Sequence, residues 1–259
     1  MSVVELHNVS KQFARGQTVA LENIELAIEA GEFVSLIGPS GCGKSTLLRI
    51  IGDLIEPTSG TVAVNGKPAR QARKDRDYGI VFQDPVLYDW RTVAKNVALP
   101  LEMARWPRQR RNERVQEMLE LVELQGFENH RPWQLSGGMQ QRVSIARALA
   151  FDPALLLMDE PFGALDEMTR ERLNIELLNI WQASGSTIVF VTHSIAEAVY
   201  LSTRIVVMSP RPGRVTKQIV STLPEVRHLG LRDTSEFIAI AHEVREALHA
   251  GHGADADEG

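Results

Sequence analysis

Residues Gly38 to Thr46 read Gly-Pro-Ser-Gly-Cys-Gly-Lys-Ser-Thr, a glycine-rich run closed by a lysine and two hydroxyls. Gly38, Gly43, Lys44 and Ser45 stand at the defining positions of a phosphate-cradling loop, with Pro39, Ser40, Gly41 and Cys42 between them. Glycine permits a tight loop whose backbone N–H groups point inward. Successive N–H groups followed by a helix N-terminus make a site for a polyphosphate. Lys44 can reach the outer phosphates, the Ser45 hydroxyl can ligate Mg²⁺, and Thr46 is placed to cap or line the same helix. The bland alternative is a glycine turn with an accidental lysine. Against it stands the context: an apolar run from Glu32 to Ile37 before the loop and a helix-like run, Leu-Leu-Arg-Ile-Ile, after it.

Four further positions carry candidate chemistry. Leu155-Leu-Leu-Met-Asp159 is an apolar strand ending in an acid, followed at once by Glu160. Asp159 fits beside a Mg²⁺ held by Ser45; Glu160 fits a base that orients a water and takes its proton. The alternative is that both acids cap the turn before Pro161. His193 ends an apolar strand after Thr192, where it can hydrogen-bond a terminal phosphate or serve only as a structural histidine. Gln83 follows another strand end, where its amide oxygen can approach the metal or simply enter a helix. Leu135-Ser-Gly-Gly-Met-Gln-Gln-Arg142 is a second glycine-rich start to a helix. Ser136, Gly137, Gly138 and Gln140 there form an anion site or only a cap. A second cradle in a chain that already has one makes sense if it serves another subunit's nucleotide.

The elements that must position these groups follow from the rest of the chain. Its 259 residues allow one large α/β domain, or a core with a subdomain. A net charge of −5 does not suggest a nucleic-acid partner. The one cysteine, Cys42, excludes an internal disulfide and fits a reducing compartment. The start, Met-Ser-Val-Val-Glu-Leu, is not expected to be a signal peptide, and no run has the length and apolarity of a membrane span.

Strands are expected at 3–6, 19–28, 32–37, 61–65 and 78–82, with turns at 11–17, where Phe13 is an unexpected aromatic, and at 57–60. The charged stretch 71–77 reads as exposed. From Pro85 to Ala150 the period becomes helical: 96–104, broken by Pro100, then 108–123 and 136–150. Strands then return at 154–158, 187–191, 204–208 and 214–220, separated by helices at 169–181 and 194–201, the signature of a mainly parallel, helix-covered sheet. A weak amphipathic helix is expected over 237–248 and a disordered acidic tail over 251–259. This divides the chain into a core of 1–84 and 151–220, a helical insert of 85–150 and a short extension of 221–250.

Taken together, Gly38 to Ser45, Gln83, Leu135 to Arg142, Asp159-Glu160, Asp166 and His193 resemble the nucleotide-binding subunit of an ATP-binding cassette (ABC) transporter, over essentially Val3 to Val220. The resemblance implies a RecA-like P-loop core with an N-terminal antiparallel β subdomain and an inserted helical subdomain. It implies ATP and Mg²⁺, the latter on Ser45, Gln83 and Asp159. It also implies a head-to-tail dimer in which each site pairs one subunit's phosphate loop with the other's Ser136–Gly138. By the same resemblance Glu160 is the base, His193 the switch, Phe13 the aromatic that stacks on adenine, and Asp166 part of a loop communicating between sites. The implied partners are integral membrane permease subunits at the cytoplasmic face of the inner membrane, and indirectly a secreted or periplasmic substrate-binding protein.

A narrower resemblance, to importers of nitrate, sulfonate and taurine, rests on Val86 to Val93, Asn96 to Leu101, Met168 to Leu173 and Met208 to Arg214. Importers of pyrimidine-type vitamin precursors and riboflavin-like compounds share much of it. Leu87-Tyr88-Asp89 departs from the leucine-leucine-proline of many relatives. An ABC exporter or a non-transport cassette ATPase are the alternatives. Repair-type members need a coiled-coil insertion and translation-type members a second cassette, and this chain has neither.

Overall fold

The computed structural model describes residues 1–13 and 18–253. Two sheets organise it. The smaller is antiparallel, in the order β2-β1-β4-β5, from β1 (Ser2–Phe13), β2 (Thr18–Glu29), β4 (Ser59–Val64) and β5 (Lys67–Pro68). β2 alternates buried and exposed residues from Ile24 to Glu29, as a strand with one wet face must. The larger sheet has six strands in the order β10-β9-β3-β8-β7-β6. They are β3 (Phe33–Ile37), β6 (Tyr78–Val81), β7 (Leu155–Asp159), β8 (Thr187–Val191), β9 (Arg204–Met208) and β10 (Val215–Val220). All pair in parallel except β10 with β9. Every residue of β3, β7 and β8 is buried, which explains why these strands read as unbroken apolar runs.

The helices are α1 (Lys44–Ile51), α2 (Ala69–Asp75), α3 (Val93–Met103), α4 (Arg108–Leu121), α5 (Gly137–Leu149), α6 (Glu167–Ser184), α7 (Ile195–Leu201) and α8 (Ser235–Gly253). α3 and α5 bury Val97, Leu101, Val143 and Ala146 in the cluster that also holds Val115 and Leu119 of α4 and Phe190 of β8. The helical insert is therefore continuous with one face of the large sheet.

The structure corrects several boundaries. Lys11 to Phe13 belong to β1, paired with Thr18 to Leu21, and the remaining turn positions lie outside the described residues. The charged stretch 71–77 is mostly exposed, as expected, and 71–75 of it is helical, with Ala69 and Ala72 burying one side of α2. Pro100 does not break α3. It sits in the last turn, and the buried Val93, Val97 and Leu101 hold the helix through the missing hydrogen bond, a local cost of roughly 3 kcal/mol. α8 runs three residues beyond 250, and 254–259 lie outside the described residues.

Candidate active site

The parallel register sets the site. Leu36 of β3 and Asp159 of β7 both pair with Val191 of β8, so three adjacent strands end level. The phosphate loop, Asp159-Glu160 and Thr192-His193 all leave the same sheet edge, the carboxyl ends where open α/β sheets bind ligands.

The loop is held by its lysine. Lys44 is buried, and its Nζ donates to the Gly38 carbonyl at 2.8 Å and the Pro39 carbonyl at 3.0 Å. Gly43, at φ 106°, turns the chain into α1 with no side chain to obstruct it. A Cβ there would stand 2.9 Å from the Ala20 carbonyl. Cys42 faces inward and burial pushes its thiol pKa up, so it is an inert core thiol; its N–H is taken by the Pro39 carbonyl at 3.3 Å. Behind the loop, the Ser45 hydroxyl donates to Asp159 Oδ1 at 2.6 Å, and Arg49 Nη2 lies 3.4 Å from Asp159 Oδ2.

Glu160 is placed by strain. Its φ of 47° is left-handed, a conformation that costs a non-glycine residue on the order of 1 kcal/mol or more. Its N–H donates to the Val191 carbonyl at 3.1 Å and its carbonyl accepts from Gly163 at 3.1 Å. The side chain turns outward so that Oε2 sits 3.2 Å from His193 Nδ1. A Cβ on Gly163 would lie 3.4 Å from Gln83 Nε2 and 3.7 Å from Glu160 Oε2, so Gln83 and Glu160 flank one turn.

A cavity of about 300 Å³ opens here, lined by Phe13, Ser40, Gly41, Lys44, Ser45, Thr46, Glu160 and Arg211 among others. Phe13, at the end of β1, is 41% exposed and stands at its rim. The structure thus brings together most of the candidate residues. It does not bring in Ser136, Gly137, Gly138, Gln140 or Asp166. Ser136 caps α5, accepting from Met139 N–H at 3.3 Å, and Gln140 donates to the Pro132 and Leu135 carbonyls at 3.0 and 3.3 Å. Asp166 caps α6 through Thr169 N–H at 3.0 Å, and that bond holds its carboxyl below the ordinary range.

Two features were not legible from residue types. The buried Glu197 of α7 accepts from the Thr192 hydroxyl and stands 3.6 Å from Arg170, which donates to the Leu165 carbonyl at 2.9 Å. It thereby joins the approach to His193 with the approach to Asp166. Desolvation raises the Glu197 pKa. Arg211 also enters the cavity beside Lys44 from the loop after β9.

A second concavity of about 400 Å³ lies where β6 meets the helices that follow it, lined by Arg76, Tyr78, Phe82, Tyr88, Met103 and Arg147 among others. Arg147 donates to the Pro85 and Val86 carbonyls at 2.8 Å each. The buried Asn96 accepts from Tyr88 N–H at 2.8 Å and donates to the Tyr88, Arg91 and Thr92 carbonyls. The loop is thus pinned from beneath while Tyr88 and Trp90, ring centroids 4.8 Å apart, face outward. Leu87 packs against the core and Val93 is 1% exposed, so these two are not part of the outward group.

Fold and site together define a P-loop nucleotide triphosphatase cassette. The family model for ABC transporters matches residues 21–163, and the chain belongs to that family: it is an ATP-binding ATPase subunit whose activity is coupled to transport. The chain is 51% identical over 95% of its length to an uncharacterized ABC transporter ATP-binding protein of Methanocaldococcus jannaschii, of which it covers 91%. It is 44% identical over 96% of its length to the aliphatic sulfonates import ATP-binding protein SsuB of Bacillus cereus, covering 96% of it. To the taurine import ATP-binding protein TauB of Burkholderia pseudomallei it is 50% identical over 78% of the chain and 76% of the relative. Among solved structures, a dimeric bacterial ABC transporter cassette matches with a TM-score of 0.73 at 40% identity, over 84% of this chain and 98% of that one.

Proposed function

We propose that this chain powers import of a small sulfonate-type solute, working as a head-to-tail pair against membrane-embedded permease subunits. The observation that carries the reading is a half-built site. Lys44, Ser45 and Glu160 line one cavity, with Asp159 bonded to Ser45 and His193 set against Glu160, while the second anion cradle, Ser136 to Gly138, stands apart at the start of α5. Such a cradle gains a use when a second copy presents it to the γ-phosphate. The names of the sulfonate and taurine relatives support the solute class. By the same reading 1–84 with 151–220 form the nucleotide core, 85–150 the receiving insert and 221–250 an extension.

In this mechanism Glu160 accepts a proton from the attacking water, and His193 holds Glu160 and the γ-phosphate in register. Lys44 carries charge toward the β- and γ-phosphates, and Phe13 stacks on adenine. The hard oxygens of Ser45 and Asp159, 2.6 Å apart, fit Mg²⁺, and Gln83 stands beside the Glu160–Gly163 turn that follows Asp159. That ion is usually held by one or two carboxylates plus substrate phosphates rather than by a protein cage. Held there, Mg²⁺ would supply charge neutralisation to the phosphates.

Among the described residues no helix is long and apolar enough to cross a membrane. The reading places the chain at the cytoplasmic face of the inner membrane, held through the permease, with a secreted or periplasmic binding protein delivering solute from the other side. The test is uptake of labelled taurine and of an alkanesulfonate in cells lacking the chain. Uptake is expected to disappear and to return with the parent chain but not with Glu160→Gln. Undiminished uptake of both solutes in the deletion would overturn the substrate class.

The insert supplies the contact. Tyr88 and Trp90, 41% and 70% exposed beside an apolar concavity, fit a short cytoplasmic helix of the permease. Aromatic anchors of this kind carry roughly 2 kcal/mol or more each in an interface. Tyr88→Ala with Trp90→Ala is therefore expected to leave ATP binding by the isolated chain intact. Recovery of the permease in pull-down and solute-stimulated ATPase in membranes should both fall at least tenfold. Normal assembly and stimulation would remove this surface from the role.

A further inference from the structure

The loop from Ser209 to Arg214, between β9 and β10, is built as a buttress against the phosphate loop. Gly213 is buried; its N–H donates to the Ala20 carbonyl and its carbonyl accepts from Glu22, each at 3.0 Å. A Cβ on Gly213 would stand 2.0 Å from the Cys42 carbonyl, so only glycine allows this loop to lie so close to Cys42. Arg214 pairs with Glu22 at 2.6 Å, fixing the same loop to β2 from outside. The Ser209 hydroxyl donates to the Pro210 and Pro212 carbonyls at 2.9 Å each and closes the turn.

Arg211 stands at the apex of this buttress. Its Nε and Nη2 donate to the Gly41 carbonyl at 3.3 and 3.0 Å, and its side chain lines the cavity shared with Lys44, Ser45 and Glu160. Two consequences follow. Gly41, at φ 76°, takes a left-handed backbone that favours glycine, and the guanidinium bonds its carbonyl. A guanidinium carries five donors in a planar fork, and the bonds to Gly41 leave donors for a second acceptor. Among the described residues lining the cavity the other cation is Lys44, which is buried and already bonded to two carbonyls, and Glu160 adds negative charge. A triphosphate entering such a site gains from a second cation able to offer paired N–H donors to phosphate oxygens.

We propose that Arg211 is a nucleotide-binding residue that contacts the triphosphate directly while bracing Gly41, and that Gly213 is the position that lets it reach. The inference rests on the nucleotide cavity assigned above. Nothing in the residue types of Ser-Pro-Arg-Pro-Gly-Arg announced it, because Gly41 and Arg211 are 170 positions apart.

The experiment is equilibrium binding of ATP, ADP and AMP to the full chain carrying Arg211→Met, which keeps much of the apolar stem, and to Arg211→Lys. Arg211→Met is expected to weaken ATP at least tenfold, the scale for loss of a charge-assisted bidentate contact, and AMP less than twofold. Arg211→Lys keeps the charge without the fork and should fall between. Gly213→Ala, by displacing the loop, should reproduce the ATP loss with Arg211 still present. ATP affinity within twofold of the parent in Arg211→Met overturns the proposal. So does equal weakening of AMP and ATP, which would assign Arg211 to loop support alone. Lys44→Ala run alongside separates the two readings: unchanged ATP affinity there would mean that the cavity itself had been misassigned.

Discussion

Glu160→Gln is expected to bind ATP with an affinity close to the parent's and to hydrolyse it about 10²-fold or more slowly, the usual worth of a positioned general base. The geometry makes the substitution clean. The backbone of Glu160 is held independently of its carboxylate, through its N–H on Val191 and its carbonyl under Gly163, each at 3.1 Å. Glutamine has the same length, and an amide can keep a hydrogen bond to His193, which stands 3.2 Å from Oε2. What is lost is the capacity to take a proton. Thermal melting separates binding from chemistry: ATP is expected to raise the Tm of the variant and of the parent alike by mass action. Turnover near the parent's value would remove Glu160 from the role of base. The left-handed φ of 47° gives a second reading of the same residue. Glycine would relieve that strain, so Glu160→Gly would remove activity without destabilising the fold as an ordinary side-chain deletion would.

Much of this site could be read before its geometry was known, and the reason is local. The phosphate loop, Asp159-Glu160 and His193 each sit at the end of a fully buried strand, and such strands announce themselves as continuous apolar runs. In a parallel sheet the ends of adjacent strands fall together, so finding the strands amounts to finding the site. The fold class was legible for the same reason, and three helices, α3 to α5, do separate β6 from β7. What escaped was set by contacts distant in sequence. Arg211 meets Gly41 across 170 positions, and no pattern near either residue records it. Glu197 looked like a polar member of a short helix, yet it is buried against Thr192 and Arg170. Pro100 was read by its intrinsic preference, and tertiary packing of Val97 and Leu101 overrode it. Val93 follows the exposed Trp90 by three residues, yet its place in the first turn of α3 turns it inward.

Lys44→Ala is expected to reduce ATP turnover by roughly 10²- to 10³-fold, the scale for deleting one preorganised donor aimed at developing charge. Unlike Glu160→Gln, it should also weaken ATP binding, because the same ammonium faces the phosphates in ground and transition states alike. Two effects are combined in the alanine variant. The ammonium is buried and bonds the Gly38 and Pro39 carbonyls at 2.8 and 3.0 Å, so its removal also frees the loop's first turn. Lys44→Met restores the apolar stem beside Cys42 but neither the charge nor the donors. If the ammonium is the main contribution, through the phosphates and the loop carbonyls, Met and Ala should lose activity alike. Recovery of much of the activity by Met would assign the alanine effect to the lost stem. Arginine is not a conservative rescue here: its fork is larger than an ammonium and cannot occupy the same position between two carbonyls. The measurements are steady-state ATPase at saturating ATP and equilibrium ATP binding. Turnover equal to the parent's in both variants would contradict the assignment of this loop as the phosphate site.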